Sequence, residues 1–179
     1  MNNIPQQEDI FTRASKVKLL VLDVDGVLTN GQLLFSNQGD ELKAFSTLDG
    51  QGIKLLQNAG IQVALITGRI STLVAKRAEN LGIKILFQGR EDKLIALDSI
   101  LSDLHLDYSS VAYVGDDWPD LACIRRVALG VTVPDAHPEL KNHAFCITSL
   151  PGGKGAVREV CDWILKSQGL YDQALQDYL

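Results

Sequence analysis

Short apolar segments alternate along this sequence with stretches of helical spacing. The apolar segments are partly β-branched and of strand length, which is typical of buried strands. Alternation of strand and helix predicts a parallel sheet with helices on both faces. The predicted fold class is therefore α/β, with a Rossmann-like doubly wound parallel sheet. The predicted strands are 17–24, 61–67, 83–87, 111–115 and 128–133, and the predicted helices are 49–59, 71–81, 92–104, 119–126 and 155–168.

One segment interrupts this alternation directly after the first predicted strand. Residues 31–45 read GQLLFSNQGDELKAF, which gives two short strand-like runs around a turn at 36–40. Asn37 and Gly39 suit a tight turn, so the segment is predicted to be a β-hairpin flap. An isolated hairpin is marginally stable, so its apolar side chains either join the core or form an oligomer interface. These side chains are Leu33, Leu34, Leu42 and Phe45.

The length of the chain favours one domain. Its 179 residues are close to the size of an ordinary domain and can bury a core without disulfides. No insertion is long enough to fold separately, so we expect one domain over 1–179. The polar segment 1–15 is expected to be a frayed or weakly helical arm, and 169–179 to be a disordered or mobile tail.

Charge and composition argue against several classes of protein. The net charge of -5 argues against non-specific binding of nucleic acid. No apolar run reaches the roughly 20 residues of a membrane span, and the start lacks the apolar centre of a signal peptide. The three cysteines are widely spaced, which favours reduced thiols. We therefore expect a cytoplasmic protein that binds neither nucleic acid nor membrane.

Acidic side chains lie where the predicted strands end. Asp23 and Asp25 follow the first strand, and Asp116 follows a later one. Thr67 ends the second strand, and Lys93 begins a helix. Ligands of open parallel sheets bind beyond the carboxyl ends of the strands, so these residues should converge. A lone Asp at a strand end is usually a turn or cap residue, but converging carboxylates need a cation. Their oxygen ligands predict a Mg²⁺ site.

Such a site suits phosphoryl transfer. Asp23 can attack phosphorus, and Asp25 can protonate the leaving oxygen and then activate water. Thr67 can donate its hydroxyl to a phosphate oxygen, and Lys93 supplies positive charge to the transferring group. Asp116 is a further predicted metal ligand. Asp117 and Asp120 are candidates to bind the metal directly or through water, or to position its ligands.

The order of motifs (DVDGV, TGR, a lone Lys and GDDWPD) resembles the haloacid dehalogenase superfamily of phosphatases. Over about residues 16–168 the chain is similar to the group that acts on 3-deoxy-D-manno-octulosonate 8-phosphate, an eight-carbon sugar acid of lipopolysaccharide synthesis. Segments that indicate this include GDELKAFSTLDGQGIKLL, FQGREDKL and GGKGAVREVCDWIL. The resemblance implies no large cap domain and a homotetramer. Its hairpins would pack together, its carboxyl-terminal tails would also lie at subunit interfaces, and neighbouring subunits would help to close the active site.

The resemblance also implies a set of ligands. The metal would be held by Asp23, by Asp116 and by the backbone carbonyl of Asp25. Arginines among the implied substrate ligands fit a substrate that carries a carboxylate as well as a phosphate. The implied substrate ligands are Asp25, Ser46, Thr47, Leu48, Asp49, Gly50, Lys54, Arg69, Arg77 and Lys93.

One position departs from the pattern of this group. Leu48 stands where relatives often have a basic residue. Thr47 also resembles phosphatases of nine-carbon sialic-type sugar acids, but that group tends to have Glu where this chain has Arg69. We therefore favour the eight-carbon acid, with the nine-carbon acid as the alternative.

Other functions remain open from the residues alone. A phospho-receiver module also combines aspartates, a Thr and a Lys, but its phosphorylated Asp lies on a later strand than its acidic pair. A silent scaffold would have lost some of the four motifs, and a phosphomutase of this superfamily would generally need a cap domain. Here the acidic cluster recurs after Lys93, which favours the phosphatase.

Overall fold

A six-stranded parallel sheet forms the centre of the computed structural model, which describes residues 7–179. Its strand order is β5-β4-β1-β6-β7-β8, so the first strand lies in the interior of the sheet. The predicted α/β class is confirmed. The strands are β1 Leu19–Leu22, β4 Gln62–Ile66, β5 Ile85–Phe87, β6 Val111–Gly115, β7 Leu129–Thr132 and β8 Cys146–Ile147.

Helices cover both faces of the sheet because the buried strands are apolar on both sides. In β1, Leu20 and Leu22 pack on one face, and Leu19 and Val21 pack on the other. The first face is covered by α1 Gln7–Ala14, α2 Thr47–Asn58, α3 Thr72–Leu81 and α7 Ala156–Ser167, and the second by α4 Lys93–Leu104, α5 Leu121–Ile124 and α6 Pro138–His143.

The register of the sheet brings three loops together. Leu22, the last residue of β1, pairs with Leu65 of β4 and with Val114 of β6. The backbone N–H of Asp23 continues this ladder by donating to the Val114 carbonyl at 2.9 Å. The residues that follow β1, β4 and β6 therefore emerge side by side at one edge of the sheet.

The segment after β1 forms the predicted hairpin. Two short antiparallel strands, β2 Leu34–Phe35 and β3 Glu41–Leu42, flank a turn in which Gly39 adopts a φ of 90°. Phe45 packs against the core, whereas the other apolar side chains are exposed on this chain. The exposed fractions are 44% for Leu33, 48% for Leu34, 61% for Phe35 and 58% for Leu42.

The predicted helix over 119–126 is too long at both ends. Residues Trp118–Asp120 form a 3₁₀ turn, and α5 covers only Leu121–Ile124. The side chain of Asp117 accepts from the Trp118 N–H at 2.8 Å, and Asp120 turns back to accept from the Asp117 N–H at 3.4 Å. This reciprocal capping favours a tight turn. The sequence pattern also missed α6 and β8.

Both ends of the described chain are ordered elements. Helix α1 buries Ala14 against the core, and Arg13 lies over the Phe145 ring at 3.8 Å. The arm that was predicted to be frayed or weakly helical is therefore a docked helix from Gln7, and its first part lies outside the described residues. The predicted disordered or mobile tail is also wrong, because it contains α8 Tyr171–Gln176, which packs on α7. Within residues 7–179, no helix has both the length and the apolar character to cross a bilayer.

A buried carboxylate joins two helices of the first face. Asp49, in the first turn of α2, is 1% exposed. Its Oδ1 accepts from the Arg158 N–H at 2.8 Å, and its Oδ2 accepts from the Gly155 N–H at 3.3 Å. It thus satisfies backbone donors at the N-terminus of α7, where negative charge is favourable.

We predict that Asp49→Ala lowers the free energy of unfolding by about 1–3 kcal/mol, because buried N–H groups lose their acceptor. Urea denaturation would measure this. Asp103→Ala, at an exposed position of α4, is the control and should change stability by less than about 0.5 kcal/mol. Equal stability of the two variants would contradict the capping role.

Candidate active site

Three carboxylates meet at the edge of the sheet where the strands end. Asp23 follows β1, Asp116 follows β6, and Asp120 closes the 3₁₀ turn. One oxygen of each lies within 4.8 Å of the others. Asp23 is 4% exposed and Asp120 is 1% exposed. Burial of like charges at such distances is unfavourable unless positive charge compensates them.

Lys93 supplies part of that positive charge from the first residue of α4. Its Nζ lies 2.5 Å from Asp23 Oδ1 and 2.7 Å from Asp120 Oδ1. Asp120 also accepts from the Tyr113 hydroxyl at 2.7 Å and from the Asp116 N–H at 3.2 Å. Asp120 is therefore fixed by neighbouring donors, and it holds the ammonium beside Asp23.

Two glycines allow the backbone to approach these carboxylates. Gly26 has a φ of 96°, and a Cβ there would lie 2.1 Å from Asp116 Oδ2. A Cβ at Gly115 would lie 2.3 Å from the Cβ of Asp120. Any side chain at either position would displace a carboxylate, so the close packing of the cluster requires glycine.

The electrostatics of the cluster favour the binding of a cation. Burial, reinforced by Asp120, raises the pKa of Asp23 well above its ordinary value despite the opposing Lys93. Burial and Asp120 also raise the pKa of Asp116 to about 7. Although burial lowers the pKa of Lys93, Asp23 and Asp120 outweigh it and leave that pKa raised. One ammonium thus faces three carboxyl groups, and without further positive charge the raised pKa values favour protons on Asp23 and Asp116.

A divalent ion with oxygen ligands fits this charge and donor set. Mg²⁺ prefers carboxylate oxygens and keeps several waters. Asp23 and Asp116 are the candidate carboxylate ligands, together with the predicted backbone carbonyl of Asp25. Asp120 belongs to the same cluster, but its oxygens already accept from Lys93, Tyr113 and backbone N–H groups. Its role is therefore to hold Lys93 beside Asp23.

The loop after β4 brings the predicted phosphate-binding residues to the same edge. Thr67 is 2% exposed, and its backbone is fixed by Phe87 and Arg90 on either side. Its Oγ accepts from the Arg69 N–H at 3.4 Å. Arg69 follows on the surface with its side chain 44% exposed. The predicted roles of both residues in binding stay predictions.

A network of charges connects this loop to the hairpin. Lys43 Nζ bonds to Asp25 Oδ1 and lies 3.4 Å from Glu41 Oε1. Glu41 accepts from Arg69 Nη2 at 3.1 Å and from the Ser71 hydroxyl at 3.2 Å. The sequence analysis missed Glu41 and Lys43. The available signal was the pattern Glu41-Leu42-Lys43, in which two charged side chains on either side of Leu42 fall on one side of the hairpin.

The other predicted substrate ligands have differing surroundings. Ser46 caps α2, and its carbonyl accepts from Arg77 Nη2 at 3.0 Å. Gly50 packs against that guanidinium, since a Cβ there would lie 2.5 Å from Nη2. Arg77 is therefore half-buried in a link between α3 and α2, and Asp49 is the α7 cap described above. The exposed members of the set are Thr47, Leu48 and Lys54.

Comparison with known proteins agrees with this geometry. A family model described as haloacid dehalogenase-like hydrolase matches residues 83–158. The 3-deoxy-D-manno-octulosonate 8-phosphate phosphatase of Escherichia coli (strain K12) is 47% identical over 170 residues, which cover 95% of this chain and 90% of that protein. The chain belongs to the haloacid dehalogenase-like hydrolase family. The resemblance seen in the motifs is confirmed at this level.

Solved structures of this family have the same fold. A probable YrbI-family phosphatase from Pseudomonas syringae is 51% identical with a TM-score of 0.94, and the match covers 96% of this chain and 97% of that one. The 3-deoxy-D-manno-octulosonate 8-phosphate phosphatase of Moraxella catarrhalis was crystallised with magnesium, phosphate and KDO. It is 41% identical with a TM-score of 0.95, covering 97% of this chain and 100% of that one.

We predict that Mg²⁺ binds more tightly as the pH rises through about 7, because the proton on Asp116 competes with the ion. The folded pKa lies above the ordinary value, so the proton stabilises the metal-free fold. That stability is lost as the pH rises towards about 7. Melting with and without Mg²⁺ should therefore show a larger shift at pH 8 than at pH 6.

Asp116→Asn is the matched variant for this measurement. It has no carboxyl proton to lose, so most of the Mg²⁺ shift and its pH dependence should disappear. An equal shift at both pH values in the unsubstituted protein would contradict the account.

Proposed function

We propose that this chain is a Mg²⁺-dependent phosphomonoesterase that hydrolyses 3-deoxy-D-manno-octulosonate 8-phosphate to the free sugar acid and phosphate. The activity would serve lipopolysaccharide precursor synthesis and would proceed through an aspartyl-phosphate. The observation that carries this proposal is the buried Asp23 inside an acidic cluster, with its Oδ1 2.5 Å from Lys93 Nζ. The whole chain is proposed to act as one phosphatase domain without a large cap.

The chemistry needs two displacements at phosphorus. Asp23 attacks phosphorus while the ester P–O bond breaks, and Asp25 gives its proton to the departing sugar oxygen. Asp25, now a carboxylate, takes a proton from a water that attacks phosphorus. The bond from phosphorus to Asp23 then breaks, and inorganic phosphate leaves.

Other groups stabilise charge during these steps. Mg²⁺, held by Asp23, Asp116 and the Asp25 carbonyl, would supply positive charge to the phosphate oxygens. Lys93 keeps the attacking carboxylate in one orientation, and the Thr67 hydroxyl donates to a phosphate oxygen. The structure fixes Lys93 from two sides, so little reorganisation is needed during the reaction.

The proposed substrate follows from Arg69 and from the relatives. Arg69 has a half-exposed guanidinium at the rim of the site, and a guanidinium can bind a carboxylate with two parallel hydrogen bonds. The relatives named for this sugar phosphate match nearly the whole chain. A nine-carbon sugar acid phosphate is the alternative substrate.

Oligomer and compartment are further parts of the proposal. The exposed apolar side chains of the hairpin support an interface in which hairpins pack together, because large apolar patches usually mark interfaces; the proposed number of subunits, four, follows from the family resemblance. The three cysteines are buried free thiols, which is compatible with the proposed cytoplasmic location.

Phosphate release from a panel of esters tests the function. With Mg²⁺, the eight-carbon acid phosphate should be hydrolysed with a much higher kcat/KM than the nine-carbon acid phosphate and simple hexose phosphates. EDTA should abolish release. Asp23→Asn should lose at least about a thousandfold in kcat while melting as a folded protein. A flat panel would reject the named substrate, and activity in Asp23→Asn would remove the proposed nucleophile.

Arg69→Ala is predicted to raise KM for the sugar acid phosphate about tenfold to a hundredfold, because a charge-assisted pair is lost. KM for a neutral aryl phosphate should change much less. Steady-state kinetics on both esters measure this difference. Equal increases in the two KM values would contradict a carboxylate-binding role for this guanidinium.

A further inference from the structure

The inner side of the hairpin presents two charged residues to the domain. Glu41 and Lys43 flank Leu42, and side chains alternate between the two faces of a strand. Leu42 is 58% exposed. By contrast, the Lys43 side chain is only 1% exposed and that of Glu41 is 19% exposed. A lysine ammonium is almost never fully buried without a partner, and Lys43 has two carboxylates beside it, Asp25 and Glu41.

Lys43 fixes one oxygen of Asp25 and leaves the other without a hydrogen bond. Its Nζ bonds to Asp25 Oδ1. Asp25 Oδ2 is buried, and no hydrogen-bond donor reaches it within the described residues. Arg69 Nε lies 3.9 Å from it. A carboxylate that is held at Oδ1 in this way presents Oδ2 as its free acceptor. Oδ2 is thus the atom available for exchanging a proton with a leaving oxygen or a water.

Glu41 bonds to only one nitrogen of the Arg69 guanidinium, Nη2. Its Oε1 accepts from Arg69 Nη2 at 3.1 Å, and its Oε2 accepts from the Ser71 hydroxyl at 3.2 Å. The Arg69 side chain remains 44% exposed, so other N–H groups of the guanidinium can still meet a ligand. Glu41 therefore restricts the guanidinium without covering it, which lowers the entropy that binding would otherwise lose.

We infer that Lys43 and Glu41 are positioning residues with separate tasks in the reaction. Lys43 orients Asp25 for proton transfer, and Glu41 orients Arg69 for binding the carboxylate of the substrate. The inference rests on the proposed phosphatase function. If these ion pairs only fastened the hairpin, changing either residue would lower stability. It would not lower kcat alone in one variant and raise KM alone in the other.

Lys43→Met tests the first task, because Met keeps the length of the side chain and removes its ammonium. We expect kcat to fall roughly a hundredfold on both the sugar acid phosphate and an aryl phosphate, since a misplaced acid–base group costs about that factor. KM should change less than threefold, and Lys43→Arg should recover at least a tenth of the lost kcat. An unchanged kcat in Lys43→Met would overturn the inference for Lys43.

Glu41→Gln tests the second task with the shape of the side chain retained. We expect KM for the sugar acid phosphate to rise about fivefold to tenfold, as for the release of one ordered side chain, with kcat within threefold. KM for the aryl phosphate should rise much less. A fall in KM for the sugar acid phosphate would mean that Glu41 competes with the substrate for Arg69, and this would overturn the inference for Glu41.

Two exposed residues provide matched controls. Lys84→Met precedes β5, and Glu79→Gln lies on α3, both at exposed positions; neither should change kcat or KM. Thermal melting of every variant identifies those that do not fold. If Lys43→Met does not melt cooperatively, Lys43→Gln is measured in its place. Failure of both to fold would assign the side chain to folding and overturn its positioning role.

The same experiment separates this inference from the proposed function. If the unsubstituted protein releases no phosphate from any ester with Mg²⁺, the proposed function fails and the inference fails with it. If that protein is active, but Lys43→Met does not lower kcat selectively and Glu41→Gln does not raise KM selectively, only the inference fails.

Discussion

The buried ammonium of Lys93 is the interaction on which the site depends. It lies between Asp23 and Asp120 at 2.5 and 2.7 Å, and Asp120 is itself held by Tyr113 from inside the sheet. Without a cation at this point, two buried carboxylates would face each other with their repulsion uncompensated. Lys93 thus opposes the effect of burial and Asp120 on the pKa of Asp23 and favours the charged form, which the proposed nucleophilic role requires.

The sheet and the hairpin each contribute different residues to this site. Parallel strands bring Asp23, Thr67 and Asp116 to one edge, as the geometry of doubly wound sheets demands. The hairpin then adds charged contacts from outside the sheet, through Lys43 on Asp25 and Glu41 on Arg69. The reacting centre is therefore on rigid elements, while the residues proposed to recognise the sugar lie where a flap meets a loop.

Sequence reasoning succeeded where position along a strand determines position in space. The strand-end residues could be predicted because the alternation of strands and helices implies a parallel sheet, and the carboxyl ends of parallel strands lie at one edge. The roles of Asp49 and Arg77 could not, because a carboxylate in the first turn of α2 and an arginine on α3 acquire their partners only when helices pack. Likewise, α8 has few local signals and owes its place to contacts with α7. The turn at Trp118–Asp120 replaced a predicted helix because Asp120 bonds back to its own loop.

Trapping the covalent intermediate tests the central claim most directly. Borohydride reduces an acyl phosphate to an alcohol, so quenching the Mg²⁺-loaded protein during turnover should convert the phosphorylated aspartate to homoserine. Peptide mass spectrometry should find homoserine at position 23, dependent on substrate. The account predicts this label at Asp23 and at no other aspartate of the cluster. Homoserine at Asp25 or Asp116, or phosphate release with no label at position 23, would contradict it.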